Sequence, residues 1–152
     1  MDKIHYDQKD GIGAVPWNQD VDYRGFRLWM SPDKFLECAR RLAFPNDMTI
    51  LFVAAALKYK RPIASPFLEG TWDKKNWNIS GHEGRNRCIA IQQYSPGELV
   101  EVHFIPTSQG LRARDIDMTM IQSFAKGVKG ESGNWVENPA SIFQLRGEKI
   151  QI

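Results

Sequence analysis

Cysteine is scarce in this sequence, which has only Cys38 and Cys88 in 152 residues. Neither belongs to a C-x-x-C pattern, and neither has a histidine at ligand spacing, so no zinc site is indicated. Both lie in apolar helical patterns. We therefore expect two buried, reduced thiols, with a disulfide or a catalytic thiol as the alternatives.

Long apolar runs and an excess of one charge are also missing. The longest apolar run, "ILFVAAAL" at 50–57, is too short to cross a bilayer, and the polar start "MDKIHYDQKDG" lacks a signal-peptide core. The formal net charge is only +2, so composition alone does not indicate a nucleic-acid binder. These features predict a soluble, cytoplasmic protein with no membrane partner.

The composition is that of a globular domain, with 42% hydrophobic and 25% charged residues. The length suits one domain over 1–152 with its own core. Gly, Asp and Pro make 1–20 an irregular lead-in. We place the motif-bearing core at 55–106 and a C-terminal extension at 128–152.

Hydrophobic periodicity and capping residues predict the elements. In the strand at 23–30, Tyr23 and Leu28 share a face if Gly25 marks a bulge, and in the next helix Leu42 joins the apolar stripe. The strand at 61–69 contains prolines, so we place it near a sheet edge. The order is strand 23–30, a helix capped by Ser31 and ending near "FPND", helix 47–60 capped by Asp47, strands 61–69 and 77–80, helix 85–94, strand 99–106, helix 117–127 and a hairpin around Arg146–Gly147. This order predicts a mixed α/β or α+β domain.

The segment "NISGHEGRNRCIAIQQ" (78–93) has the chemistry of an anion site. Gly81 and Gly84 permit left-handed or closely approached backbone where the strand gives way to the helix. The first helical N–H groups lack internal acceptors and favour an anion. Arg85 and Arg87 add planar donors suited to phosphate. The alternative is a tight turn in which Glu83 caps the helix and both arginines are solvated.

The run from about 55 to 106 resembles the ParB and sulfiredoxin superfamily. "KYKRPIASPFLE" matches the first strand, "WNIS" the second, "EGRNRCIA" the G-x-x-R turn with its helix, and "LVEVHFIP" the last strand. The resemblance implies a single small domain with a mixed sheet and about four helices. It is similar in particular to such domains in bacteriophage and mobile-element proteins, which implies host cytoplasm as its location.

The resemblance also implies a nucleotide- or phosphate-binding turn. Gly84 then lets the backbone approach the phosphate closely, and the Arg87 guanidinium faces the phosphate. Glu83 takes the acidic position before the glycine. The remaining phosphate-binding candidates are Gly81, Arg85 and Asn86. Arg85 stands where sulfiredoxins have their reactive cysteine, which argues against peroxiredoxin repair. We expect no helix-turn-helix domain of the kind that partition proteins carry within these 152 residues, and therefore no chromosome-partition role.

Two residues of the turn are candidates for catalysis. Glu83 could serve as general base or magnesium ligand, or only as a helix cap. His82 could bond phosphate or act as an acid, or only order the loop. A Mg²⁺ ion is the candidate cofactor together with a nucleotide, because phosphates commonly bind with one. No protein metal-ligand set is predicted.

Several residues outside the turn are weaker candidates. Arg112 and Arg114 could extend the basic surface or touch a nucleic-acid backbone, or form a solvated connection. His103 is predicted at a surface or an interface. Trp72 and Trp77, which flank the turn before the motif strand, could stack a base or could pack in the core or at its rim. Asp10 and Asp73 are candidate carboxylates near the turn, although nothing in the spacing requires them there.

Two functions follow from these features. The first is a phosphate- or nucleotide-binding domain, with NTPase, phosphoryl-transfer or nuclease chemistry as its possible reactions. The second is a non-catalytic phage accessory or virion-associated protein that binds a host protein or nucleic acid. The sequence predicts neither the ligand nor the oligomeric state.

Overall fold

The structure, a computed structural model, describes residues 4–14, 25–41 and 44–152. These residues form an eight-stranded mixed sheet and four α-helices, which confirms the mixed α/β class. The helices are α1 (Pro32–Cys38), α2 (Asp47–Lys58), α3 (Arg85–Tyr94) and α4 (Met118–Lys126). The strands are β1 (Phe26–Met30), β2 (Phe67–Trp72), β3 (Trp77–Glu83), β4 (Val100–Pro106), β5 (Gly127–Lys129), β6 (Trp135–Glu137), β7 (Ile142–Leu145) and β8 (Glu148–Gln151).

The strands lie in the order β6-β5-β3-β2-β4-β1-β7-β8. The β2–β4 and β3–β5 pairs are parallel and the other pairs are antiparallel. At the end of β3, Glu83 pairs with Phe67 of β2, and Phe67 pairs with His103 of β4. The β3–α3 junction, which carries the predicted site, therefore begins in the interior of the sheet.

One face of the sheet carries the aromatic core. Phe26, Leu28 and Met30 of β1 alternate with more exposed residues, as the predicted periodicity requires. Phe26 stacks on Phe104 of β4 with ring centroids 4.9 Å apart. Phe124 of α4 meets both rings edge-on at 5.5 and 5.2 Å. Such edge-to-face pairs stabilise a core beyond their area burial.

The opposite face carries several polar residues and is crossed by the described part of the N-terminal segment. Arg27 of β1 and His103 of β4 are cross-strand partners on this face. The Tyr6 hydroxyl accepts a hydrogen bond from the backbone of Glu101 at 3.1 Å, and the Ser65 hydroxyl donates to the Glu101 carboxylate at 3.0 Å. His103 is buried, so its predicted surface position is wrong. The N-terminal segment helps to line the cavity beside it.

The placement of the proline-containing strand near an edge is wrong. Strand β2 lies between β3 and β4, inside the sheet. Pro62 and Pro66 precede it and therefore remove no donor from its ladder. Between the two prolines, Ile63 forms isolated bridges to Tyr6 and Ile12 of the N-terminal segment.

Helix boundaries differ from the prediction at two places. Helix α1 ends at Cys38 and not near "FPND", because the residues that follow turn towards Glu131: the Cys38 carbonyl accepts from the Glu131 backbone at 2.9 Å. The cap of α2 is Asn46 and not Asp47, since the Asn46 side chain accepts from the Thr49 amide. Tyr23 and Leu42, assigned to a strand and a helix, lie outside the described residues.

Two short strands, β5 and β6, are absent from the prediction, because three-residue strands carry no periodic signal. The predicted cap of α1, the predicted helix at 117–127 and the predicted C-terminal hairpin are confirmed. Ser31 and Asp117 cap α1 and α4, and Gly127 ends α4. The hairpin of β7 and β8 turns at Arg146–Gly147, where both residues have positive φ.

Candidate phosphate-binding site

The β3–α3 junction is formed by a single residue, Gly84. Its φ of 106° lies in the left-handed region, and a Cβ there would come within 2.6 Å of the Pro66 Cβ. Both constraints require glycine at this position. The chain thus passes from strand to helix at the glycine that the sequence motif singles out.

The strand before the junction is longer than predicted. Glu69 pairs with Gly81 and Gly70 pairs with Ile79, so Ser80 is the extra residue of a β-bulge. The bulge lets β3 continue to Glu83 and not end at Ser80. Gly81 consequently belongs to the ladder with β2, which corrects the prediction that both glycines line one turn.

The start of α3 has no side-chain cap. The other three helices are capped by an oxygen of Ser31, Asn46 or Asp117, whereas Gly84 has no side chain to offer. The first intrahelical bond runs from the Cys88 amide to the Gly84 carbonyl at 3.1 Å. The three amides before Cys88 therefore have no acceptor within the helix, which is the usual basis of anion binding at a helix N-terminus.

Arg87 reaches back from the first turn of α3 to Glu83. Its Nη1 donates to Glu83 Oε1 at 2.8 Å and its Nη2 to Oε2 at 2.5 Å, a bidentate ion pair. Arg87 is only 4% exposed. Its Nε is buried and has no hydrogen-bond acceptor in the described parts of the chain. The carboxylate thus pairs with Arg87 and does not cap the helix.

The N-terminal segment covers the guanidinium. Gly13 has a φ of 88°, and a Cβ there would come within 2.2 Å of Arg87 Nη1. Only glycine permits this approach. The sequence gives no signal that Gly13 meets Arg87, since the two residues are distant in the chain and Gly13 lies in the irregular lead-in.

His82, the residue before Glu83, pairs with a different carboxylate. His82 Nδ1 lies 2.6 Å from Glu131 Oε2, and both side chains are 13% exposed. The same Glu131 oxygen accepts from the Arg40 amide at 2.6 Å. Glu131 is not among the residues that the sequence predicts for the site. Its only sequence signal is a place in the turn "GESGN", which does not reveal a tertiary partner.

The other predicted phosphate-binding residues point to neighbouring helices. Arg85 Nη1 donates to the Leu36 carbonyl of α1 at 3.4 Å. Burial, and next the positive charge of Arg41, lower the pKa of Arg85 below its usual range. The Asn86 side chain accepts from the Asn46 amide at 3.2 Å, at the start of α2. The junction itself therefore brings together Gly84, Arg87 and Glu83.

The residues predicted to contact nucleic acid lie several strands away from the junction, near the β7–β8 edge of the sheet. Arg112 and Arg114 are exposed, and a short 3-10 helix (Ala113–Asp115) contains the second of them. Arg146, in the β7–β8 turn, donates to the Ala113 carbonyl at 3.2 Å. Three strands separate β7 from β3, a distance of about 19 Å. These arginines do not extend the surface of the junction.

The base-stacking prediction is wrong for Trp77, which is fully buried and donates from Nε1 to the Met120 carbonyl at 3.0 Å. Trp72 packs against it with ring centroids 5.0 Å apart. Trp77 begins β3 and pairs with Trp72 at the end of β2, so both tryptophans lie roughly 20 Å from the junction. Asp73 lies in the turn between them, where it accepts from the Asn76 amide at 2.6 Å. Asp10 is exposed, and its amide donates to Asp7.

Cys38 and Cys88 are free and buried, which confirms two reduced thiols. Burial raises the pKa of the Cys38 thiol to about 12 and also raises that of Cys88. Thiols held protonated in this way are poor nucleophiles.

Within the described residues, no three His, Cys, Asp or Glu side chains form a group that could hold a metal ion. Among the same residues, no helix has both the length and the apolar content needed to span a bilayer. Comparisons with protein-family models, with curated proteins and with solved structures give no match.

Proposed function

We propose that this chain is a phosphate-binding domain that takes a nucleotide or nucleic-acid phosphate at the β3–α3 junction. The observation that supports it best is the buried Arg87 guanidinium, whose Nε has no acceptor in the described structure. It lies at a helix start whose first amides have no acceptor within the helix. Buried donors are normally satisfied, so an unsatisfied one at a helix start whose first amides lack acceptors within the helix favours an anionic ligand.

In this proposal Glu83 positions Arg87 and does not act as a base. The two hydrogen bonds between them fix the plane of the guanidinium and leave Nε and one N–H on each Nη as its remaining donors. Glu83 also limits affinity, because its negative charge lies close to any phosphate at the junction. His82, the other residue predicted for catalysis, points to the opposite face of β3 from Glu83 and pairs with Glu131.

The resemblance of residues 55–106 to the ParB and sulfiredoxin superfamily supports the same site. It puts Gly84 and Arg87 at the glycine and arginine of the G-x-x-R turn. Mg²⁺ would bind together with the phosphate, since a phosphate chain supplies the oxygen atoms that this ion prefers to coordinate. NTPase, phosphoryl-transfer and nuclease chemistry are the reactions to assay once a ligand is known.

The proposal can be tested by thermal unfolding with pyrophosphate, nucleoside di- and triphosphates and a short single strand, each with and without Mg²⁺. A ligand at one hundred times its Kd stabilises by about 2.7 kcal/mol, which raises Tm by roughly 5–10 °C in a domain of this size. We expect such a rise for the wild type and for Arg114→Lys, a matched control far from the junction. Arg87→Lys should lose it. No rise with any ligand would reject the proposal and favour a non-catalytic accessory protein.

A further inference from the structure

Helix α2 exposes an apolar face. Its residues that point to solvent recur at spacings of three and four, so they form one stripe along the helix. Its opposite side is also apolar and packs into the core. The exposed stripe consists of Met48, Leu51, Phe52 and Ala55 and continues to Tyr59, whereas the buried side consists of Ile50, Val53 and Ala56.

A surface helix normally carries polar residues on its solvent side, and a helix that is apolar all round is normally covered. In α2 the only polar residues are Asp47, Thr49 and Lys58. Two of these stand at the ends of the helix and leave the middle of the exposed face without a polar side chain. The exposed face of α2 therefore has the composition of a protein interface.

The patch continues onto the end of α3. Ala55, Tyr59 and Tyr94 line one surface cavity of about 540 Å³. Phe52, Tyr59 and Tyr94 are 60%, 67% and 53% exposed. Since an aromatic side chain presents about 150–250 Å², these three rings alone expose roughly 300–450 Å². Met48 and Leu51 enlarge a patch that already matches the largest on typical monomers, about 300–600 Å².

We propose that this patch is the interface of a homodimer, in which α2 packs antiparallel against α2 of a second copy across a two-fold axis. The charges at the helix ends favour this partner and this direction. Asp47 stands at the N-terminal end and Lys58 at the C-terminal end. Antiparallel pairing brings each Asp47 next to the partner's Lys58 and aligns the two helix dipoles favourably.

The two-fold symmetry also brings the exposed apolar residues of the two copies together. Asp47 and Lys58 are eleven residues apart, about 16 Å along the helix. The two-fold axis then crosses α2 midway between them, beside Leu51 and Phe52. Two large exposed apolar side chains of each copy therefore meet at the centre of the interface, where contacts contribute most to binding. Their area is still below the about 800 Å² per partner of a typical stable complex, so we expect a dimer that dissociates at micromolar concentrations.

The first test is sedimentation velocity over a concentration series of the full chain. Leu51→Glu places a charge at the two-fold axis and should weaken association by at least about tenfold. Met118→Glu is the matched control, because Met118 is another exposed apolar residue, at the start of α4. Wild type and control should dimerise alike. A monomeric wild type at 200 micromolar (~10² times the expected Kd), or a dimer unaffected by Leu51→Glu, would overturn the proposal.

Charge reversal tests the antiparallel direction. Asp47→Lys and Lys58→Asp each create like-charged contacts in a homodimer and should each weaken self-association about threefold to tenfold. In a mixed dimer of the two variants, both contacts are again between opposite charges. Mixing them should therefore restore association to near the wild-type level, while far-UV circular dichroism confirms that both are folded. Failure of the mixture to associate more tightly than either variant alone would exclude this arrangement.

Discussion

Glu83 and Arg87 are joined by two hydrogen bonds, 2.8 and 2.5 Å long, between the last residue of β3 and the first turn of α3. Gly84 lies between the two residues in sequence and turns the chain through a left-handed conformation. The pair thus closes the strand-to-helix junction and holds a guanidinium at the helix start. The conformation of the junction and the position of the Arg87 guanidinium therefore depend on the same ion pair.

Loss of the Glu83 carboxylate should destabilise the fold. Glu83→Ala leaves the nearly buried Arg87 without its partner, and such a loss costs about 3–5 kcal/mol in a fully buried pair. Because the Glu83 side chain is 29% exposed, we expect a smaller decrease of about 1–3 kcal/mol in the unfolding free energy. Urea unfolding measures it. Glu83→Ala in an Arg87→Met background should cost much less, and equal losses in both backgrounds would contradict the pairing.

Gly13→Ala should lift the N-terminal segment from Arg87. The new methyl group would overlap Arg87 Nη1, and alanine at a φ of 88° costs about 1–2 kcal/mol. We expect a lower Tm and faster hydrogen exchange at the Ile12–Ile63 bridge, with little change in α4. Gly133→Ala is the control, because Gly133 has a similar φ but open space around it. Equal exchange at the bridge in both variants would show that Gly13 does not contact Arg87.

The turn between β2 and β3 should weaken in acid through Asp73. Hydrogen bonds from the backbones of Asn76 and Lys75 lower the pKa of Asp73 below its usual value of 3.8. A carboxylate with a lowered folded-state pKa stabilises the fold above its unfolded pKa and loses that effect as pH falls through the folded pKa. The Tm difference between wild type and Asp73→Ala should therefore be largest above pH 5 and shrink below pH 4. A difference independent of pH would contradict this assignment.

Cys38 and Cys88 should be inert in the folded protein. A Cys38 pKa raised to about 12 keeps the thiol protonated at pH 8, and burial blocks access. We expect negligible reaction with Ellman's reagent in native buffer and two reactive thiols per chain in guanidinium. Since unfolded thiols ionise near pH 8.5, stability should also fall as pH rises above 9. Rapid labelling of either native thiol would contradict their burial.

The sequence predicts the fold well where local rules decide the structure. Ser31 and Asp117 fix helix starts, and alternating apolar residues fix β1 and β4. Long-range contacts decide the rest. Nothing local shows that α1 will end at Cys38 against Glu131, or that the prolines near Ile63 precede an interior strand.

The candidate site, too, could be predicted from the sequence only where local features decide it. Gly84 and Arg87 can be predicted, because a glycine between a strand and a helix and an arginine in the first turn are local features. The contacts that surround them cannot, since Gly13 and Glu131 reach the junction from distant parts of the chain. Trp77 fails as a base-stacking residue for the same reason, because the packing of α4 buries it.

Isothermal titration of pyrophosphate and of nucleoside triphosphates at low salt tests the phosphate site most directly. We expect measurable binding to wild type and to Arg114→Lys, and binding weakened at least tenfold, about 1.4 kcal/mol, by Arg87→Lys. Glu83→Gln should bind more tightly than wild type, because it removes a negative charge beside the ligand while keeping the shape of the side chain. Absence of binding to the wild type, or equal binding to wild type and Arg87→Lys, would contradict the account.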